Sequence, residues 1–283
     1  MVTSPADNTL SLGIALSTVN GNLLRNKTLV QQIAELKAPV VVVNQIREKG
    51  RRLSLDSLGW SPENSQIIHL ETLGLSLSRN VAIQAIKNPW VMLADDDITL
   101  NVEAFKSLSH RLKHENDWEK VGALATGLLK DVNTPWRQGP RDLSVIQGRS
   151  TSSLRRIQSI NSMELVLHAS SLRNWGIQFD TRFGLGAPPT QGGEEVILLN
   201  EILRCGGKIV PVDIAPRLHP EESSGQKVNA STAFTQGAVH QLVFGSQLWP
   251  ALFLLYALKR VRSGQLTLVA DYAKGGWWAS RQS

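Results

Sequence analysis

The chain has 283 residues, 42% of them hydrophobic and 19% charged, which excludes wholesale disorder and allows one large domain or two small ones. A formal charge of +6 favours an anionic partner, but the basic residues are scattered and no nucleic-acid-binding motif accompanies them, so no nucleic-acid role is expected. The single Cys205 excludes an intramolecular disulfide and a cysteine-cluster metal site.

Residues 1–10 lack a basic start and a long apolar core, so no signal peptide is read; no uninterrupted apolar run of about eighteen residues predicts a membrane span. Residues 10–17 alternate into a first strand that stops at Ser17-Thr18, before the loop signal Asn20-Gly21-Asn22. Leu29, Ile33 and Leu36 give residues 28–36 helical spacing, and the β-branched residues 40–43 form a second strand ending at Asn44-Gln45. A strand, helix, strand unit of this kind closes as a parallel pair. Residues 47–64 read as a loop over a cleft, and residues 67–70 as a third strand. The next helix runs through Arg79 and Asn80 to residue 86, with Ser76 or Ser78 as its cap, and Asn88-Pro89 stops it.

Residues 90–94 are an apolar run ending in Asp95, Asp96 and Asp97. It reads as a buried strand whose carboxyl end opens onto three carboxylates, where an open α/β sheet places its ligand. Strand alternation would set Asp95 and Asp97 on one side and turn Asp96 away. Paired oxygen donors suit Mg²⁺ or Mn²⁺ with substrate phosphates completing the shell; the plain alternative is an acidic turn capping the following helix.

A polar helix at 101–115 and a strand at 121–126 follow. Residues 134–153 read as a loop near the site, 162–168 as a strand, and 172–176 as a short helix with its stop. Gly192-Gly193-Glu194-Glu195 opens a helix over 196–204, a last strand covers 208–212, and 216–225 is a loop carrying His219. Beyond Ala230 the pattern is helical, including an apolar stretch at 248–258 that ends in Lys259, Arg260 and Arg262.

Five pieces stand in order: Gly74-x-Ser76-x-Ser78-Arg79-Asn80-x-Ala82-Ile83, then Asp95-Asp96-Asp97, Phe179-Asp180-x-Arg182-Phe183-Gly184-x-Gly186, Gly193-Glu194-Glu195, and His219-Pro220-x-x-Ser223-Ser224-Gly225. Together they resemble the GT-A glycosyltransferases of family 2. The resemblance implies an α/β fold, GT-A (Rossmann-like), with a mostly parallel central sheet flanked by helices: a catalytic domain over 1–225 and a C-terminal helical extension over 226–283. It implies an inverting, metal-dependent transfer of sugar from a UDP-type nucleotide sugar to a hydroxyl of a glycan or lipid-linked acceptor. Asp95-Asp96-Asp97 would be the DxD element, with Asp95 and Asp96 beside the nucleotide and Asp97, Asp95 and His219 at Mn²⁺ or Mg²⁺. A His ligand tilts that choice toward Mn²⁺. Ser17, Thr18, Asn44, Gln45, Arg79 and Asn80 would seat the nucleotide, although relatives often carry an Asp pair where Asn44-Gln45 stand. Glu195 or Glu194 would be the base that takes the acceptor proton; both also suit a helix N-terminus electrostatically. Residues 179–186 would wall the sugar or acceptor.

Asp95-x-Asp97-x-Thr99 also satisfies the strand end of haloacid-dehalogenase-type phosphohydrolases, which place that strand near the N-terminus and need a later Asp pair and Lys. A third reading keeps the fold and binds sugar nucleotides without turnover. The C-terminal apolar helix either packs on the catalytic domain or contacts a membrane peripherally, which for a cytoplasmic protein means the inner face.

Overall fold

The computed structural model describes residues 10–47, 50–115, 118–129, 137–138, 142–219 and 229–282. The first half alternates β1 (Leu12–Val19), α1 (Lys27–Leu36), β2 (Val40–Gln45), α2 (Leu55–Leu58), β3 (Ser65–Leu70), α3 (Leu75–Ala85) and β4 (Trp90–Asp95). Then come β5 (Thr99–Leu100), α4 (Val102–His114), β6 (Val121–Ala125), β7 (Leu128–Leu129), β8 (Arg137–Gln138), β9 (Ile146–Gln147), α5 (Thr151–Ile157), β10 (Leu165–His168) and α6 (Ala169–Trp175). The chain closes with α7 (Glu194–Arg204), β11 (Lys208–Pro211), β12 (Arg217–Leu218), α8 (Ala230–Arg262) and α9 (Thr267–Ser280).

One sheet has eight strands in the order β3-β2-β1-β4-β10-β6-β11-β9. Its first four strands are mutually parallel, and β10 runs antiparallel between β4 and β6. β1, β2 and β4 are buried along almost their whole length, as strands covered by helices on both faces must be, and this explains their unbroken apolar sequence. α1 supplies Leu29 and Ile33 to one such face, and α4 supplies Phe105, Leu108 and Leu112.

A second, four-stranded sheet in the order β5-β12-β7-β8 sits beyond the end of β4. In it Leu218 pairs with Thr99 and Arg217 with Leu100, so the strand leading to His219 lies antiparallel to the strand leaving the acidic turn. Two-residue strands carry no readable periodicity, and residues 216–219, expected to be loop, contain one of them.

Three further expectations are corrected. The loop over 47–64 contains α2, set by a capping box between Ser54 and Ser57 and stopped by Gly59 at φ 67°. Neither Ser76 nor Ser78 caps α3: Gly74 holds that position, and both serines lie inside the helix facing the protein. Within 134–153, β9 adds an edge strand to the large sheet and α5 begins at Thr151. Of the motif from His219 to Gly225, residues 220–225 lie outside the described residues.

The C-terminal helices bear on the core. α8 is broken at Gly245 (φ 73°, ψ 172°), and its first half buries Ala238, Val239, Val243 and Phe244 against the body of the protein. α9 returns along α8 at backbone contact. A Cβ on Gly237 would stand 1.9 Å from the Tyr272 carbonyl oxygen, and one on Gly275 1.9 Å from that of Phe234. His240 ties three helices together, its Nδ1 2.6 Å from the Tyr272 hydroxyl and its Nε2 2.9 Å from Gln158 Oε1. Burial lowers the His240 pKa to about 4, so the ring is neutral at physiological pH. By length and composition α8 is also apolar enough to cross a membrane, although polar residues interrupt its apolar run.

Candidate active site

The crevice in an open α/β sheet forms where successive connections leave in opposite directions. From β1 the chain steps to β2 and β3 on one side, whereas β4 lies on the other, so the switch falls between β1 and β4. The parallel register sets Ser17 beside Asp95 and Thr18 beside Asn44, bringing the carboxyl ends of three strands into line.

β4 ends at Asp95, and Asp96 and Asp97 form a turn, so strand alternation governs only the first of the three. Each carboxylate has its own partner. Asp96 faces β1 and accepts a hydrogen bond from the Thr18 hydroxyl across the crevice. Burial raises its pKa; the Thr18 hydroxyl opposes this, and the negative charges of Asp97 and Asp95 add to it. Asn26 caps α1 by accepting from the Leu29 N–H at 3.0 Å and donates to the carbonyls of Asp96 and Ile98, which fixes the turn from below. Asp97 is 57% exposed, and its Oδ1 lies 3.6 Å from Nε2 of His219, whose backbone N–H donates to Leu129 at 2.9 Å.

Asp95 faces a different group. Arg79, buried on α3, sits 3.4 Å from Asp95 Oδ1 and 2.8 Å from Glu194 Oε1, and its Nη2 also donates to the Ser162 hydroxyl at 3.2 Å. Burial disfavours the guanidinium charge, but Asp95 and Glu194 outweigh it and raise the Arg79 pKa above the ordinary value. One side chain therefore joins the acidic strand end to the Glu pair at the head of α7.

Glu194 and Glu195 occupy the first turn of α7, behind Gly193 at φ 79°. Glu195 is half-buried, and its pKa is pushed up to about 8, first by burial and then by the negative charge of Glu194. Backbone hydrogen bonding at the helix start and the more distant Arg79 pull the other way and lose. Gly184 lies against this pair: at φ 101°, a Cβ there would stand 2.9 Å from Ser76 Oγ and 3.4 Å from the Glu194 carboxylate.

The remaining predicted residues are built into the walls. Asn44 accepts from the Gly21 N–H and donates to the Arg51 carbonyl, each at 2.9 Å, and Gln45 donates to the carbonyls of Thr72 and Gly74. Ser17 shares a 2.7 Å hydrogen bond with Ser78. Asn80, expected beside the nucleotide, clamps the backbone of Phe179 with both ends of its amide at 2.8 and 2.9 Å, holding residues 179–186 against α3.

Sequence reasoning missed Arg217. It is fully buried two residues before His219, donates to the Leu165 carbonyl at 2.6 Å, and has its pKa lowered to about 9 by burial against the pull of Glu164 and Asp95. No sequence signal marks it, because its surroundings come from the small sheet and from β10. Arg79 as a bridge was also missed, although it did leave a signal: Ser76, Arg79, Asn80 and Ile83 form one helical row, and Ile83 identifies that row as core-facing.

The donor set can be tested against a divalent ion. Asp97 and His219 converge from two strands, and among the described residues no group of three or more His, Cys, Asp or Glu is placed to hold an ion unaided. One carboxylate with an imidazole fits an ion of the Mn²⁺ or Mg²⁺ type whose other positions are filled by phosphate oxygens and water.

No family model and no curated relative matches the chain. Among solved structures, residues 1–349 of the S. aureus glycosyltransferase TarS superpose with a TM-score of 0.59 at 14% identity, over 96% of this chain and 92% of that one. The same TarS fragment in complex with UDP gives 0.60 at 15% over 96% and 92%, and in complex with UDP-GlcNAc 0.59 at 14% over 96% and 91%. The chain therefore has the GT-A fold of the TarS structures.

Proposed function

We propose that the chain is a nucleotide-sugar-dependent glycosyltransferase that transfers, with inversion, from a UDP-type donor to a hydroxyl of a glycan or lipid-linked acceptor. The observation that carries this reading is Arg79, which holds Asp95 of the acidic strand end and Glu194 of the helix start in one site. The shared fold with a protein solved in complex with UDP and UDP-GlcNAc supports the donor class.

In this reading the nucleotide lies at the carboxyl ends of β1, β2 and β4. Ser17, Thr18, Asn44 and Gln45 shape its seat, mostly by fixing the loops around it. Asp97 and His219 would hold Mn²⁺ or Mg²⁺, and the bound ion would supply Lewis-acid neutralisation of charge on the departing diphosphate. Glu195 accepts the proton of the acceptor hydroxyl as that oxygen bonds to the anomeric carbon and the bond to the diphosphate breaks. Glu194, tied to Arg79, is the poorer candidate for that proton. A base held near the operating pH is the efficient kind, and Glu195 is pushed up to about 8. Residues 179–186 wall the transferred sugar, and Gly184 lets that wall close onto Ser76 and Glu194.

The test is sugar transfer from a panel of UDP-sugars with Mn²⁺. Asp97→Ala and Glu195→Gln should each reduce transfer to background while the circular dichroism spectrum is retained. Wild-type rates from both variants, or thermal stabilisation by UDP and Mn²⁺ with no donor consumed, would overturn the proposal.

A further inference from the structure

The second half of α8 is the least explained part of the surface. Of an 18-residue apolar window in this helix only 22% is buried. Leu248, Leu254, Leu255, Leu258 and Val261 are between 43% and 60% exposed, and Trp277 of α9 is 57% exposed. Leu248, Ala251, Leu255 and Leu258 with Arg262 follow a three- and four-residue spacing, so they form one stripe along the helix. Monomeric proteins rarely leave so continuous an apolar stripe to water.

We infer that this stripe, from residue 248 to Arg262, is a docking face for an anionic phospholipid surface. Charge selects that occupant. From Ala230 to Ala270 the chain contains no Asp or Glu, and the stripe runs into the exposed Lys259 and Arg262, while Arg260 turns inward over the Tyr256 ring. An apolar face rimmed by cations matches a bilayer's acyl boundary and phosphate layer together. The same face of a second copy would match the leucines but offer no carboxylate to the basic end. Beyond the break at Gly245 the helix is roughly 25 Å long, short of the hydrocarbon thickness, and its inner side is occupied by α9 through Tyr256 and Tyr272 stacked at 4.2 Å. The geometry is that of a helix lying in the interface plane. The face is rigidly mounted: Trp278 packs 5.8 Å from Phe183, and Arg182 donates to the Gln282 carbonyl at 3.3 Å, so the helix pair is fastened to the wall formed by residues 179–186.

The test is vesicle flotation of the full chain with phosphatidylcholine alone and with phosphatidylcholine containing phosphatidylglycerol. The chain should float with the anionic vesicles, release them in high salt, and bind the neutral ones far more weakly. Lys259→Gln with Arg262→Gln should weaken anionic-vesicle binding by about fivefold per charge removed. Leu254→Gln, Leu255→Gln and Leu258→Gln together should abolish it while UDP still raises the melting temperature. Should that triple variant misfold, brominated lipids supply the second readout, quenching the tryptophan emission of the wild type in anionic vesicles and far less in neutral ones. Failure to float with anionic vesicles, equal binding to neutral ones, or undiminished binding by the folded triple variant would overturn the inference. So would a wild-type dimer in solution that the triple variant converts to monomer.

Discussion

Arg79→Met isolates the connection on which the site depends. Methionine keeps most of the apolar stem, so little cavity opens and the loss is chiefly the guanidinium. Arg79 and Glu194 have side-chain exposures of 1% and 5% and meet at 2.8 Å, leaving no water to replace either partner. Removing one member of such a buried pair costs about 3–5 kcal/mol, because the other charge is stranded. The contact to Asp95 is longer, at 3.4 Å, and that carboxylate is 30% exposed, so it adds little to the sum. Against a total stability of roughly 5–15 kcal/mol, the variant should melt on the order of 10 °C below the wild type. The assay is thermal and urea unfolding of Arg79→Met, Glu194→Gln and the double variant at neutral pH. The double variant strands no charge and should recover at least about 2 kcal/mol relative to the sum of the single losses. Strict additivity, or a melting temperature unchanged by Arg79→Met, would refute the bridge.

Other outcomes follow from the same structure. Glu195 holds, up to about pH 8, a proton that an unfolded carboxylate releases near its ordinary 4.5; stability is therefore full at acid pH and falls as pH rises through that window. Glu195→Gln cannot ionise and should melt higher than the wild type above about pH 8 and equally at acid pH, as differential scanning fluorimetry would show. Transfer in the wild type should climb with pH below about 8 and then level off, in a pH-rate profile at saturating substrate. His240 has the opposite sign: its pKa lowered to about 4 means stability is full above the ordinary 6.5 and is lost as pH falls, which near-ultraviolet circular dichroism of Tyr272 and Tyr256 would report. Gly275→Ala forces α8 and α9 apart at a contact where Cβ would stand 1.9 Å from the Phe234 carbonyl oxygen, and should cost about 1–3 kcal/mol in urea unfolding followed by tryptophan emission.

What is legible in the sequence follows from how each element is buried. β1, β2 and β4 read as continuous apolar runs because both faces of a parallel sheet are covered, and the polar residues that end those runs mark the crevice. β10, inserted antiparallel between β4 and β6, carries no trace of its neighbours, since strand order is set by crossovers and not by local pattern. The two-residue strands β5 and β12 are too short for any periodicity, yet they bring His219 to Asp97. Asp95, Asp96 and Asp97 are legible as a group, but their separate partners are not, because the turn after Asp95 frees the next two residues from strand alternation. The wall-building work of Asn44, Gln45 and Asn80 is equally invisible: an amide at a strand end or on a helix looks the same in sequence whether it meets a ligand or a backbone carbonyl.

The two glutamates show why adjacency in sequence does not mean equivalence in chemistry. Consecutive residues in the first turn of a helix point about 100° apart, so Glu194 and Glu195 enter different surroundings. Glu194 turns to Arg79 and forms a short ion pair; Glu195 receives the weaker pull of that guanidinium, the repulsion of Glu194 and a hydrogen bond shared with the Glu194 carboxyl. A half-buried carboxylate beside a fixed negative charge gains by taking a proton. Arg79 therefore does two things with one charge: it anchors Glu194 so that its field acts on Glu195, and through Asp95 it sets the position of that pair relative to the strand end where the diphosphate would lie. Exchanging the two glutamates' roles would require Arg79 to change partners, and its burial between α3, β4 and α7 leaves it no room to do so.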